Sequence, residues 1–429
     1  MANILIKRAN ILNPDIAESL HGDIFISDGK VEKIGEDLFE YMNQADEIID
    51  ANGLTAAPGL VDMHVHLRDP GFQEKEDIFS AARAAAAGGV TSLLAMPNTK
   101  PVVDSAEVVE YILERAKNAD VHIYTAASVT KGLKGDELTD IDSLKKAGAI
   151  ALSDDGRPVI NTQCLVDGLI KAKELGMIFA SHCEDLYLSK DGLLNDGTVA
   201  KVLGVKGIPN SAEDCATARE IAAAAAVDAP IHICHVSTAG SVELIRDAKR
   251  RGVKVTAETA PHYLLLTDIE LYKKDADYRM SPPLRTEKDR LALIEGLKDG
   301  TIDAIATDHA PHTVAEKSDF FNAPNGAIGM ETLLASSITA LVKTGEMTLS
   351  EVLAKMSSVP AKLLNISAGE IGVGKAADIM LFDKNERWVV DSNALHGKSK
   401  NTPFKGMELT GRVKYTITGG RKVYDYKYN

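Results

Sequence analysis

Eight short apolar runs, each ending in polar residues, recur through the middle of the chain at 60–66, 91–96, 121–127, 149–153, 177–182, 231–236, 253–259 and 302–307. Between them lie stretches with helical periodicity, among them 105–117, 163–174, 213–226, 241–251 and 287–298. Runs of that length with Gly, Pro or Asp at their boundaries read as buried parallel strands, and eight strand-then-helix units predict a (β/α)8 barrel. The alanine tracts at 84–87 and 222–226 predict helix faces packed closely on that barrel. Outside it the pattern changes. Short strands are expected at 4–11, 22–27 and 30–34, with Asp28-Gly29 as a hairpin turn, and again at 377–382, 388–390, 413–418 and 422–424, with a turn at Thr418-Gly419-Gly420-Arg421. The two ends resemble each other more than either resembles the middle. We therefore expect one small composite β-domain from 1–57 and 367–429 beside a barrel spanning 58–366.

Composition narrows the class. At 429 residues, 45% apolar and 26% charged, the chain has room for a large barrel and an accessory domain. A net charge of −14 argues against nucleic acid and acidic membrane surfaces as partners. No run is long and apolar enough to span a bilayer, and the first residues lack a secretory pattern. Cys164, Cys183, Cys215 and Cys234 form no C-x-x-C pair, as expected of free thiols in a reducing compartment. The cytoplasm is the expected location.

The chemistry gathers at the strand ends. His64 and His66 stand two apart in a strand, so both imidazoles face one way. The carboxyl ends of the later strands add Asp154-Asp155, His182, His235 and Asp308. Of the eleven histidines only His21 and His396 fall outside these strands and the residues just beyond them. Alternation along Ala149, Ala151 and Ser153 carries Asp155 inward. Four imidazoles and two carboxylates can hold two divalent ions, zinc first, with manganese or cobalt as substitutes. Cys183 and Cys234 should turn to the opposite face as packing residues. His122, His232 and His309 are expected to be structural or to support the ligands from behind, and His262 is left open.

Four segments carry a family resemblance: Asp62-Met63-His64-Val65-His66-Leu67-Arg68-Asp69-Pro70-Gly71, Met96-Pro97-Asn98-Thr99, Ser153-Asp154-Asp155-Gly156 and Thr307-Asp308-His309-Ala310-Pro311-His312. Together they resemble the type I bacterial dihydroorotases of the amidohydrolase superfamily, over essentially the whole chain. The resemblance implies reversible cyclisation of N-carbamoyl-L-aspartate to L-dihydroorotate in pyrimidine biosynthesis. It implies that His64, His66 and Asp308 hold one ion, His182 and His235 the other, and that Asp155 bridges them. No lysine stands in the Ser153–Gly156 segment, whereas hydantoinases and allantoinases generally bridge their metals with a carboxylated lysine. Asp308 is the expected proton carrier. Arg68, Asn98 and His312 are expected on the substrate, Arg68 gripping its carboxylate with two parallel hydrogen bonds.

Two positions depart from the family pattern. Ser281 replaces the usual asparagine before Pro282-Pro283-Leu284-Arg285, and Asn325 stands where phenylalanine is common, beside Gly326. All three are kept as substrate-binding expectations, and the loop 313–329 as a candidate lid. The alternatives are another cyclic amidohydrolase, an allantoinase or hydantoinase, or an inactive partner of aspartate transcarbamoylase. A homodimer and association with that transcarbamoylase are the protein partners the resemblance allows; the ligand expected is a small molecule.

Overall fold

The computed structural model describes residues 2–14 and 19–427. Five strands precede the barrel: β1 (Ile4–Ile11), β2 (Leu20–Ser27), β3 (Lys30–Gly35), β4 (Glu47–Asp50) and β5 (Thr55–Pro58). The eight barrel strands are β6 (Leu60–Val65), β7 (Val90–Ala95), β8 (His122–Ala127), β9 (Ala151–Leu152), β10 (Ile178–Ser181), β13 (Ile231–Ile233), β14 (Val255–Thr259) and β15 (Ala304–Ile305). A two-residue pair, β11 (Leu194–Asn195) and β12 (Gly207–Ile208), lies in the excursion after β10. Three strands follow the barrel: β16 (Ile379–Val389), β17 (Glu408–Thr418) and β18 (Arg421–Asp425).

The barrel strands are hydrogen-bonded in chain order and all parallel. The seam between first and last is closed near the carboxyl end, where His66 N donates to the His309 carbonyl at 2.9 Å. All eight expected strands are present, and so is the (β/α)8 class. The fourth and eighth are cut to two residues each because the chain leaves the ladder early to present polar groups at the barrel mouth. The helices expected at 163–174 and 287–298 appear as Thr162–Leu175 and Glu287–Lys298.

The second sheet draws on both ends of the chain in the order β18-β17-β16-β5-β1-β2-β3, with β4 also paired to β1. Its apolar centre holds Ile4, Ile6, Ile24, Ile26, Ile379, Leu381 and Ile417. Two of its strands, β4 and β5, escaped the sequence reading: both are only four residues long and lack clear alternation. The runs at 377–382 and 388–390 are one strand, β16, whose pairing to β17 shifts register between Asp383 and Arg387.

Two features of β6 aim the site. Val61 and Met63 pack inside the barrel with Leu94, Ala126, Ala151 and Ala304, whereas Val65 and Leu67 pack on the outer, helix-facing side. The ladder to β7 shifts register between Asp62 and Val65. That irregularity puts Met63 and His64 both inward, so the apolar floor passes directly into the polar mouth.

The alanine-rich helix Ile78–Ala87 buries nearly all of its residues and ends at Gly88. A Cβ there would stand 2.1 Å from the Met330 carbonyl oxygen and 2.9 Å from the Glu331 Cα. Gly88→Ala is therefore expected to destabilise the fold by about 1–3 kcal/mol through overpacking against backbone. Chemical denaturation reads this directly; an unchanged midpoint would mean that the Met330 turn can recede.

Candidate metal centre

Every expected ligand reaches the carboxyl mouth of the barrel, and each is fully or nearly buried. Asp155 is at the centre. Its Oδ1 lies 3.2 Å from His64 Nε2, 3.5 Å from His182 Nδ1 and 3.4 Å from His235 Nε2, and its Oδ2 lies 3.5 Å from His66 Nε2. Asp308 Oδ1 completes the group at 3.1 Å from His66 Nε2 and 3.8 Å from His64 Nε2. Asp154 points away, accepting from the backbone N–H of Val129 and Thr130 at 2.7 and 3.1 Å and from the Thr130 hydroxyl.

Outer hydrogen bonds decide which nitrogen faces the centre in three of the four rings. His64 Nδ1 donates to Glu258 at 2.7 Å, His66 Nδ1 to Asn98 Oδ1 at 2.8 Å, and His182 Nε2 to Glu184 at 3.1 Å. Each opposite nitrogen then faces Asp155 or Asp308, where a bound metal would meet its lone pair. His64 Nε2 is buried without a hydrogen-bond partner. Sets of one atom each from His64, His66 and Asp308, and from His64, Asp155 and His235, come within 4.8 Å of one another. Converging imidazole nitrogens and carboxylate oxygens at this density fit a divalent metal.

The electrostatics agree. Burial disfavours the charged form of His64, yet Asp155 and Glu258 hold its pKa well above the ordinary value. Burial likewise works against ionised Asp155, and His64 with its neighbours holds that carboxyl well below the usual range. These are the signs expected of a negative cluster that wants a cation at its centre.

The backbone is bent to suit. His235, Asp308 and Arg68 have φ of 34°, 48° and 61°, in the left-handed region that non-glycine residues rarely occupy. Each costs on the order of 1–3 kcal/mol. At His235 the turn brings the ring inward although Ile231 and Ile233 of the same strand face the helices. Cys183 packs outward as expected. Cys234 does not: it lies within 4.8 Å of both His64 and Glu258, because the left-handed His235 breaks the alternation.

A cavity of about 330 Å³ opens over the centre. Arg68, Asn98, Ser281, His312, Asn325 and Gly326 all line it. Burial lowers the Arg68 pKa to about 10, which leaves the guanidinium charged near neutrality. Its Nε donates to the Pro311 carbonyl at 3.1 Å. His312 is driven to about 3 by burial and by Arg68, so it is neutral; its Nε2 donates to the Asn325 carbonyl at 2.9 Å. The Asn98 oxygen serves His66, which makes Asn98 an orienting group for a metal ligand as well as part of the cavity wall. The Asn325 side chain accepts from Arg279 at 3.2 Å. Gly326 lends room, since its N–H is engaged by the Arg279 carbonyl and its own carbonyl by Asn401. A Cβ at Gly326 would stand 2.8 Å from the Ala310 Cβ and 3.0 Å from His312 Nε2.

Two acidic residues escaped the sequence reading. Glu258 is buried on β14 and spans His64 Nδ1 and His232 Nε2, the latter at 3.4 Å. The signal was a lone carboxylate inside an apolar strand. Glu184, two residues past His182, lines the cavity and left no periodic signal. His262 is buried with Nε2 unpartnered, and burial lowers it to about 4.

Residues 53–241 match the family described as dihydro-orotase-like, and residues 203–424 match an amidohydrolase family. The chain is 48% identical to the dihydroorotase of Geobacter metallireducens over 98% of this chain and 99% of the relative. It is 48% identical to that of Acetivibrio thermocellus over 98% of each. Among solved structures it resembles the L-hydantoinase of Arthrobacter aurescens, with a TM-score of 0.87 at 26% identity covering 99% and 96% of the two chains. It likewise resembles the dihydropyrimidinase of Brevibacillus agri, with a TM-score of 0.86 at 28% identity covering 99% and 95%.

If Glu258 fixes the His64 tautomer, Glu258→Gln should weaken metal binding by about 10- to 100-fold while leaving the fold intact. Competition against a chromophoric chelator measures this. Unchanged affinity would assign the tautomer to another group.

Proposed function

The chain belongs to the dihydroorotase family of cyclic amidohydrolases, and on that premise we propose that its cavity interconverts N-carbamoyl-L-aspartate with L-dihydroorotate and water by the residues described above. The carrying observation is a charged Arg68 beside an aspartate-centred cluster in a cavity of about 330 Å³. That volume suits a small ring bearing a carboxylate.

The metal cofactor is read as two divalent ions, zinc first: His64, His66 and Asp308 on one, His182 and His235 on the other, Asp155 between. When bound, such ions supply Lewis-acid polarisation of the ring amide and a lower pKa for the attacking water. The chain's own groups do the rest. Arg68 fixes the substrate carboxylate through two N–H donors, and its left-handed backbone sets the guanidinium over the mouth. In ring opening the Asp308 carboxylate takes the proton of the attacking water and delivers it to the departing ring nitrogen; ring closure reverses both transfers. Asn98 and Glu258 keep the His66 and His64 rings in the required tautomers. Ser281 contributes its hydroxyl to the wall facing the ring.

A turnover assay on dihydroorotate, hydantoin and allantoin, with metal analysis of the same samples, tests this reading. Dihydroorotate should be preferred, activity should be lost on exhaustive chelation, and up to two ions per chain should be found. Full activity without metal, or preference for an uncharged ring, would sink it.

Arg68→Lys keeps the charge and loses the fork. We expect kcat/KM for dihydroorotate to fall about 10²-fold or more, the scale of roughly 3 kcal/mol of charge-assisted hydrogen bonding. Unchanged kinetics would remove the arginine from the carboxylate.

Asp308→Asn keeps shape and one oxygen donor but cannot accept a proton. Turnover should fall by about 10²- to 10⁴-fold with at least one ion retained. A variant that keeps its metal and near-normal turnover would move proton transfer elsewhere.

A further inference from the structure

The barrel mouth is covered by a loop whose two stems, 309–312 and 325–328, run side by side: Ala310 N donates to the Ala327 carbonyl at 2.8 Å. The stems carry His312 and Asn325, and Arg68 leans on the first of them through the Pro311 carbonyl. Neither stem is a regular strand or helix. What crosses and pins them comes from elsewhere in the chain.

Asn401 lies between β16 and β17 and is 3% exposed. Its Oδ1 accepts from His312 N at 3.1 Å. Its Nδ2 donates to the carbonyls of Ala310 and Gly326, both at 3.1 Å. Its own carbonyl accepts from Ile328 N, also at 3.1 Å. Four bonds thus tie one residue to both stems. An asparagine amide presents one acceptor and two donors in a single plane. Aspartate lacks the donors, and glutamine carries the same group one methylene too far.

We propose that Asn401 is the positioning residue of the substrate-binding loop, a cross-pin that holds both stems so that His312, Asn325 and Arg68 face the cavity in fixed register. The inference rests on the proposed reaction only in taking these groups to meet the substrate. Asn401 touches none of the six metal ligands, so its effect should fall on substrate binding rather than on the metal.

Asn401→Asp tests this. It keeps the acceptor for His312 N–H but turns both donor contacts into oxygen facing oxygen. We expect KM for dihydroorotate to rise about 10- to 100-fold, as for the loss of two or more buried hydrogen bonds. kcat should change by less than about 5-fold, and metal content should stay at the wild-type value. Backbone hydrogen exchange should quicken within 309–328 and nowhere in the barrel strands. Asn401→Ser removes the side-chain contacts without the repulsion and should move both readouts the same way by less.

Unchanged KM and exchange in both variants would overturn the proposal. So would a fall in kcat and metal content at constant KM, or exchange that quickens through the whole barrel, or failure of both variants to fold. None of these outcomes describes a residue that positions the substrate-binding loop. Should the wild-type protein not turn over dihydroorotate, the proposed reaction falls, and the exchange pattern alone decides the cross-pin.

Discussion

Asp155 accepts no backbone hydrogen bond among the described residues; it faces four imidazoles, with a second carboxylate beyond them. Such a cluster is unstable by itself, since buried lone pairs and negative oxygens repel unless something positive lies between. Protein stability and cation binding are therefore linked at one point, and much of the barrel mouth serves it. Glu258, Asn98 and Glu184 each take the outward proton of one ring, which fixes where the inward lone pair goes. The register shift in β6 and the left-handed turn at His235 aim the rings. Loops that would otherwise be free are drawn into the same polar layer through Arg68 and His312.

The parts of this arrangement that follow short periodic rules were legible in the sequence. Apolar runs of five to seven residues with clear boundaries could be counted, and residues two apart on one strand share a face, which made His64 and His66 a pair. Alternation also separated Asp155 from Asp154, whose carboxylate instead caps the turn after β8. The rule fails where backbone geometry breaks the period. Cys234 was expected to face the helices, but a positive φ at His235 puts both neighbours toward the centre. Strands β4 and β5 are too short to show a period, and their identity depends on partners far away in sequence.

Residues that act through others were the hardest to read. Glu258 is one carboxylate in one strand, with meaning only when His64 and His232 are placed beside it. Asn98 has a recognisable motif around it, yet its oxygen turns out to serve His66. Gly326 was expected on the substrate, and both of its backbone polar groups bond to the protein. In each case the function of the residue is set by a tertiary neighbour that no local window contains.

The sheet drawn from both ends of the chain imposes a schedule on the making of the protein. Strand β5 ends at Pro58, and the strand that covers its open edge, β16, begins at Ile379, so the two are 321 residues apart. At about 5–20 residues per second, a ribosome takes roughly 15 to 65 seconds to supply the missing partner. For that interval Ala56 and Ala57, with the isoleucines of β1 and β2 behind them, form an unfinished sheet whose edge can pair with any other extended chain. The barrel can assemble in the meantime, since its strands pair in order, but the nascent molecule carries an adhesive flank until almost its last strand is made.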